Sequence, residues 1–211
     1  MNNTIYDEIK RRILFFQYEP GQMLNEKKLS EEFGVSRTPV REIFLKLEWE
    51  KLVTIMPRAG IMVTKVDFQE LHDVYQVRLN LSYTLGKMAA TRITEQQIDE
   101  MKRLRDECLE LTDTSDYRRL VGIDLRLRKI ISTAANNKSL AEITDYLYNQ
   151  TQRFWFMVFN KVDFNLLIND EVKEIEEGIK VFTERDPEKA GEYRRRMIEQ
   201  SMEQIVRMFG Y

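Results

Sequence analysis

The stretch Val35–Glu42 constrains this chain more than any other part of it. Ser36 is a good helix N-cap, because its hydroxyl can accept a hydrogen bond from an amide of the first turn. Pro39 then falls at the third helical position, where an intrahelical N–H bond is not yet required. Val40, Ile43, Phe44 and Leu47 follow at i, i+3, i+4 and i+7, one apolar stripe on a helix over 37–50. Arg37, Thr38 and Arg41 point away from that stripe. Two guanidinium groups and a hydroxyl crowded at a helix N-terminus suit phosphate and guanine recognition. An ordinary amphipathic surface helix with solvated arginines would read the same way, so the flanks decide.

Upstream, residues 4–16 predict a helix with Ile5, Ile9, Ile13 and Phe16 on one face, ended by Tyr18-Glu19-Pro20-Gly21. Asn25 is an N-cap for a short helix over 26–33, and Gly34 suits a left-handed C-cap. Two helices joined by a tight glycine turn make a helix-turn-helix. Downstream, β-prone 52–56 and 61–64 flank Pro57-Arg58-Ala59-Gly60, which predicts a hairpin, or wing. Arg58 and Gly60 sit at its tip, within reach of phosphates or a minor groove. Ser36, Arg37, Thr38, Arg41, Lys46, Arg58 and Gly60 form the candidate DNA-contacting set.

Leu29-Ser30-Glu31-Glu32-Phe33-Gly34-Val35-Ser36-Arg37-Thr38-Pro39-Val40-Arg41-Glu42, with Pro20-Gly21 before and Glu50-Lys51-Leu52-Val53 after, resembles the winged helix of GntR-family bacterial transcription regulators. The resemblance covers nearly all of residues 4–64. Three residues depart from it. Lys51 stands where glycine is usual, Phe44 is bulkier than usual, and Leu45 replaces a common basic residue. Leu45 on the groove side means either one fewer phosphate contact or an apolar contact to a thymine methyl.

From Asp67 on, only helical periodicity is visible. Six helices fit, over 68–91, 95–112, 116–135, 139–161, 166–184 and 187–209, capped at Asp67, Thr94, Ser115, Lys138-Ser139, Asn165 and Asp186-Pro187. The predicted fold class is mainly α. Residues 1–66 form a winged helix-turn-helix, and residues 67–211 an all-helical bundle with room for a cavity. This second part resembles the FCD ligand-binding domain of the FadR branch, in its six-helix, VanR-like version. Val77-Arg78-Leu79, Asp124 with Arg128, Asn137-Lys138-Ser139-Leu140 and Asp186-Pro187-Glu188-Lys189-Ala190 carry that likeness.

Many FCD domains hold a divalent metal with one aspartate and three histidines. Here Asp124 matches the aspartate, while the histidine positions fall at Arg128, Ile175 and Met197. The single histidine, His72, lies in another helix. Converging deprotonated ligands are missing, so no metal and no other cofactor is expected. The resemblance instead implies an effector pocket with Arg78, Asp124, Arg128 and Met197 as candidates. Arg128 one turn after Asp124 either binds an anionic effector directly or forms a plain i, i+4 ion pair. Arg78 either faces that pocket or pairs at the surface with Asp73 or Glu70. The aromatic residues Tyr146, Tyr148, Phe154, Trp155, Phe156 and Phe159 read as core or dimer interface rather than a ligand cage.

Composition narrows the function classes. The net charge is −2, yet residues 1–66 carry 11 basic and 9 acidic groups and the remainder is acidic. That balance permits DNA binding by the first part without establishing it. One cysteine, Cys108, excludes an internal disulfide and fits a reducing compartment. No signal peptide or membrane span is visible, which predicts a cytoplasmic protein with no membrane partner. No phosphate-cradling loop, nucleophile–base pair or metal quartet supports an enzyme, and Glu176-Glu177 point to different sides of a helix. The expectation is a DNA-binding regulator, a repressor, acting as a homodimer on an inverted repeat. Its operator affinity would answer to a small metabolite such as an organic acid. The alternative is a winged-helix protein-interaction module on a helical dimerisation scaffold without effector.

Overall fold

The computed structural model describes residues 2–65, 67–112, 117–158 and 162–209. Among these residues the order is α1 (Asn2–Leu14), β1 (Met23–Leu24), α2 (Glu26–Glu32), α3 (Arg37–Trp49), β2 (Val53–Met56) and β3 (Gly60–Val63), followed by α4 (Phe68–Ala90), α5 (Glu95–Leu109), α6 (Tyr117–Ala135), α7 (Lys138–Val158), α8 (Phe164–Glu184) and α9 (Pro187–Phe209). The chain divides into two compact units. One comprises Met1–Leu71 and Tyr148–Phe156; the other comprises His72–Leu147 and Met157–Tyr211. α7 is one continuous helix that contributes residues to both.

In the first unit, Ile5, Ile9 and Ile13 of α1 share a core with the stripe Val40, Ile43, Phe44 and Leu47 of α3. Asn25 caps α2, its Oδ1 accepting from the amides of Lys27 and Lys28. Gly34 takes the left-handed conformation (φ +64) that turns α2 into α3. Ser36 is extended, as an N-cap should be, but its side chain makes no capping hydrogen bond among the described residues. α1 stops at Leu14 rather than at 16, because Phe16 has a positive φ of 54°.

β2 and β3 pair antiparallel from Val53↔Val63 to Met56↔Gly60. β1 was not expected. It adds to the other edge of β3 through Met23↔Met62 and Leu24↔Ile61, giving the order β1-β3-β2. Lys51 explains one departure from the family pattern. Its φ of +59° is the left-handed region that glycine enters without steric penalty, and here a lysine occupies it.

In the second unit the helices start at caps that follow the local polar residues. Thr94 and Gln97 close a capping box on α5. Asp186 Oδ1 accepts from the amides of Glu188 and Lys189, with Pro187 opening α9. Asn137 rather than Lys138-Ser139 caps α7, and Asp163 rather than Asn165 caps α8. The expected Ser115 cap lies outside the described residues. The core between these helices includes Ile98, Met101, Leu104, Ile123, Leu127, Ile131, Ile175 and Phe182. Gly86 lets α4 and α9 approach closely. A Cβ there would lie 2.3 Å from the Ala190 carbonyl oxygen and 2.9 Å from Arg194 Cγ.

Candidate nucleic-acid interface and effector pocket

α3 buries one face and leaves Arg37, Thr38, Arg41, Glu42, Leu45, Lys46 and Trp49 exposed. Ser36, Arg58 and Gly60 are exposed too, with Arg58 in a left-handed conformation (φ +67) at the wing tip. The wing is tied to α3 by a side chain, since the Ile55 amide donates to Glu48 Oε1 at 2.7 Å. Lys46 leans toward α1, with Nζ 3.6 Å from the Tyr6 ring centroid. Below it, Tyr6 donates to Glu50, and Lys10 Nζ lies 2.6 Å from Glu50 Oε2. Burial, then that hydrogen bond to Glu50, pushes the Tyr6 phenol well above its usual range.

The base of the wing is held by a residue that sequence reasoning missed. Arg153, buried in the N-terminal unit, donates from Nη1 to Thr64 Oγ1 (2.6 Å) and from Nη2 to the Thr64 carbonyl (2.5 Å). Thr64 Oγ1 donates in turn to the Lys51 carbonyl just past α3. With no carboxylate bonded to it in these contacts, the Arg153 guanidinium is pushed down to about 10 by burial. Nearby, Tyr148 is buried and Trp155 half-buried; Tyr146, in the other unit, is half-buried too. The side chains of Phe154 and Phe156, and residue Phe159, lie outside the described residues.

The second unit contains a pocket lined by Arg78, Ser82 and Leu85 of α4, Arg128 and Ser132 of α6, Thr144 and Asp145 of α7, and Arg194 of α9. The pocket is a narrow cleft, part of it open to solvent. Two of the sequence candidates, Arg78 and Arg128, therefore meet there. Arg78 is 4% exposed, and its guanidinium lies 5.1 Å from the Tyr75 ring centroid. Arg128 Nε is 4.0 Å from Asp124 Oδ2, so Asp124 backs the pocket through Arg128 without lining it. Met197 packs against the helical core instead of lining the pocket.

Arg194 was not anticipated. It is 2% exposed and donates from Nη1 to Glu174 Oε1 at 3.0 Å, while its buried Nε makes no hydrogen bond among the described residues. The signal was present in α9, where Ala190, Arg194 and Ile198 recur every fourth residue on the buried stripe. Behind the arginines, burial raises the carboxyl groups of both Glu171 and Glu174. For Glu171 the neighbouring Asp124 and Glu174 charges add to the rise, and its buried Oε1 has no hydrogen-bond partner among the described residues. For Glu174 the Arg194 charge opposes it.

These residues do not fit the metal carried by many FCD domains. Arg128 is a cation, and Ile175 and Met197 are apolar core. His72 is exposed beside Asp73, at 3.9 Å. Among the described residues no group of three or more histidine, cysteine, aspartate or glutamate side chains is placed to hold a metal ion. Cys108 is fully buried, and burial pushes its thiol up to about 12.

Fold and sites together define a winged-helix protein whose second unit is an all-helical domain with an arginine-lined pocket. Residues 1–63 match the family described as "Bacterial regulatory proteins, gntR family", and residues 73–200 match the FCD domain. The chain belongs to the GntR family, in the branch that carries an FCD domain, a family of regulators rather than enzymes. It is 34% identical over 103 residues to the HTH-type transcriptional repressor RspR of Escherichia coli K12, covering 49% of this chain and 45% of RspR. It is 24% identical over 144 residues to the HTH-type transcriptional regulator McbR of the same strain, covering 68% of this chain and 65% of McbR. The matches thus span about half to two thirds of these curated relatives. The solved structure of E. coli McbR/YncC superposes with a TM-score of 0.84 over 99% of this chain and 98% of that one, at 18% identity, a likeness of fold.

Proposed function

We propose that this chain is a cytoplasmic, sequence-specific DNA-binding repressor whose operator affinity is set by a small anionic metabolite held at Arg78, Arg128 and Arg194. The observation that carries the effector reading is the convergence of three guanidinium groups, two of them almost fully buried, on one pocket. A buried N–H without an acceptor, as at Arg194 Nε, is unfavourable, and a carboxylate or similar anion supplies the missing acceptor. Asp124 and Glu174 orient two of the arginines from behind. Ser82, Ser132 and Thr144 offer hydroxyl groups to the rest of the ligand.

On the DNA side, Arg37, Thr38 and Arg41 enter the major groove from α3, while Arg58 and Gly60 at the wing tip and Lys46 at the edge of α3 meet the backbone. One recognition helix reads few bases, so the working form is a homodimer on an inverted repeat. The anion changes operator affinity by binding the DNA-competent and DNA-incompetent arrangements unequally. RspR, a relative, is named a repressor, which favours repression here.

Two measurements test this. Full-length protein should retard DNA from upstream of its own gene, and Arg41→Ala should weaken that retardation while the protein stays dimeric by sedimentation. A panel of small organic acids should raise the melting temperature of the wild type and leave Arg128→Ala unmoved. No retardation by a folded dimer refutes the DNA reading, and no acid distinguishing the two proteins refutes the pocket reading.

A further inference from the structure

We propose that Leu45 determines operator specificity by packing against the C5 methyl group of a thymine in the major groove. The inference rests on the recognition-helix reading of α3 given above.

An α-helix turns about 100° per residue. The buried stripe of α3, Val40, Ile43, Phe44 and Leu47, therefore has a well-defined opposite line, and it runs through Thr38 and Trp49. Arg41 flanks that line on one side and Lys46 on the other, while Glu42 lies as close to it as Leu45 does, on the Lys46 side. Leu45 thus belongs to the outward face, between Arg41 and the line through Thr38 and Trp49, and it is the leucine that this face turns toward a docked groove. Arg41 and Lys46 stand nearer the edges of the face, where phosphates lie. Leu45 is 53% exposed, so the unit's own core does not cover it.

A leucine on a groove-facing surface has one apolar group to meet there. Base edges in the major groove present hydrogen-bond donors and acceptors, and the thymine methyl is the exception. A basic residue at 45 would seek phosphate or guanine. Leucine cannot bond to either, and it gains from removing a methyl group and itself from water. Geometry also places the contact. Leu45 lies four residues after Arg41, about 6 Å along the helix axis, or roughly two base-pair steps. The thymine should therefore fall about two base pairs from the Arg41 contact.

The test uses full-length protein and a random double-stranded DNA library. Rounds of selection with the wild type define a half-site. Each thymine of that half-site is then replaced singly by deoxyuridine, which removes only the methyl group. One thymine should show a loss of about fourfold per methyl removed, the worth of one buried methyl group. Leu45→Ala should bind the thymine and uracil probes equally, with an unchanged melting temperature because the side chain is exposed. Leu45→Arg, put through the same selection, should replace thymine by guanine at that position.

If no thymine is methyl-sensitive, or if Leu45→Ala keeps the same uracil penalty, the proposal is overturned. A patch of Leu45 and Trp49 that serves a second protein chain gives that second result. Failure of the wider reading looks different: the wild type would then select no sequence at all, or Arg41→Ala would bind the selected site as tightly as the wild type.

Discussion

Replacing Gly86 and Gly122 by alanine, one at a time, separates close helix packing from helix propensity. Both glycines lie inside helices, so each substitution gains the same intrinsic preference, about 1 kcal/mol. Their surroundings differ. A Cβ at Gly122 meets nothing within 4 Å among the described residues. At Gly86 it would fall 2.3 Å from the Ala190 carbonyl oxygen and 2.8 Å from the Ala190 carbonyl carbon, about 1 Å short of ordinary contact. The obstacle is the backbone of α9, which cannot rotate aside, so α4 and α9 must part. Overpacking of this kind costs about 1–3 kcal/mol.

Gly122→Ala should therefore raise the melting temperature, by about 2–4 °C for a chain of this size. Gly86→Ala should fall below Gly122→Ala by a further few degrees. It should also weaken stabilisation by organic acids, because Arg194 Cγ lies 2.9 Å from the added methyl group. Parallel thermal melts followed by circular dichroism read both effects. A Gly86→Ala protein that melts with or above Gly122→Ala would refute the close approach of α4 and α9, and with it the placement of Arg194 in the pocket.

Lys51→Gly should be neutral or stabilising by about 1 kcal/mol, since it relieves a left-handed lysine whose ion pair with Glu70 is exposed; a large loss of stability in urea titration would contradict that. Glu171→Gln should stabilise the helical unit at pH 7 more than at pH 5. A carboxyl whose folded value is raised keeps its proton while the unfolded chain loses one, so wild-type stability falls as pH rises above the ordinary glutamate range, and the glutamine variant escapes that slope. Equal gains at the two pH values would show that Glu171 is not held protonated. Arg37→Ala and Arg41→Ala should each weaken the selected operator by about 1–3 kcal/mol with the fold intact, as read by fluorescence anisotropy and circular dichroism.

The winged helix was legible because its signals are local. Asn25, Gly34, the stripe from Val40 to Leu47 and the Pro57–Gly60 turn each act within a few residues of themselves. β1 was not, because two residues become a strand only through their partners Met62 and Ile61 far along the chain. α8 begins two residues earlier than periodicity suggested. Two polar side chains competed to cap it, and capping at Asp163 brings the buried Phe164 inside the helix. In the pocket, Arg78 and Arg128 were found by analogy, but the same analogy pointed to Met197. It counted toward the place a metal ligand would occupy, whereas here the side chain lining the pocket is Arg194, three residues earlier. Arg153 had no local signal at all, since its hydrogen-bond partner is Thr64.

The sealed thiol of Cys108 gives the chain a built-in clock. Only a thiolate attacks a thiol reagent, and this thiol is packed in the core between α5 and α8, 3.9 Å from the Ile168 carbonyl. Its reaction must wait for that core to open, so the rate of modification in native buffer counts openings of the helical unit and is blind to motions of the wing. Because it is the protein's single cysteine, a second one introduced at Arg58 would react at once and alone, and one molecule would then carry a fast label on the winged helix and a slow stopwatch in the helical core.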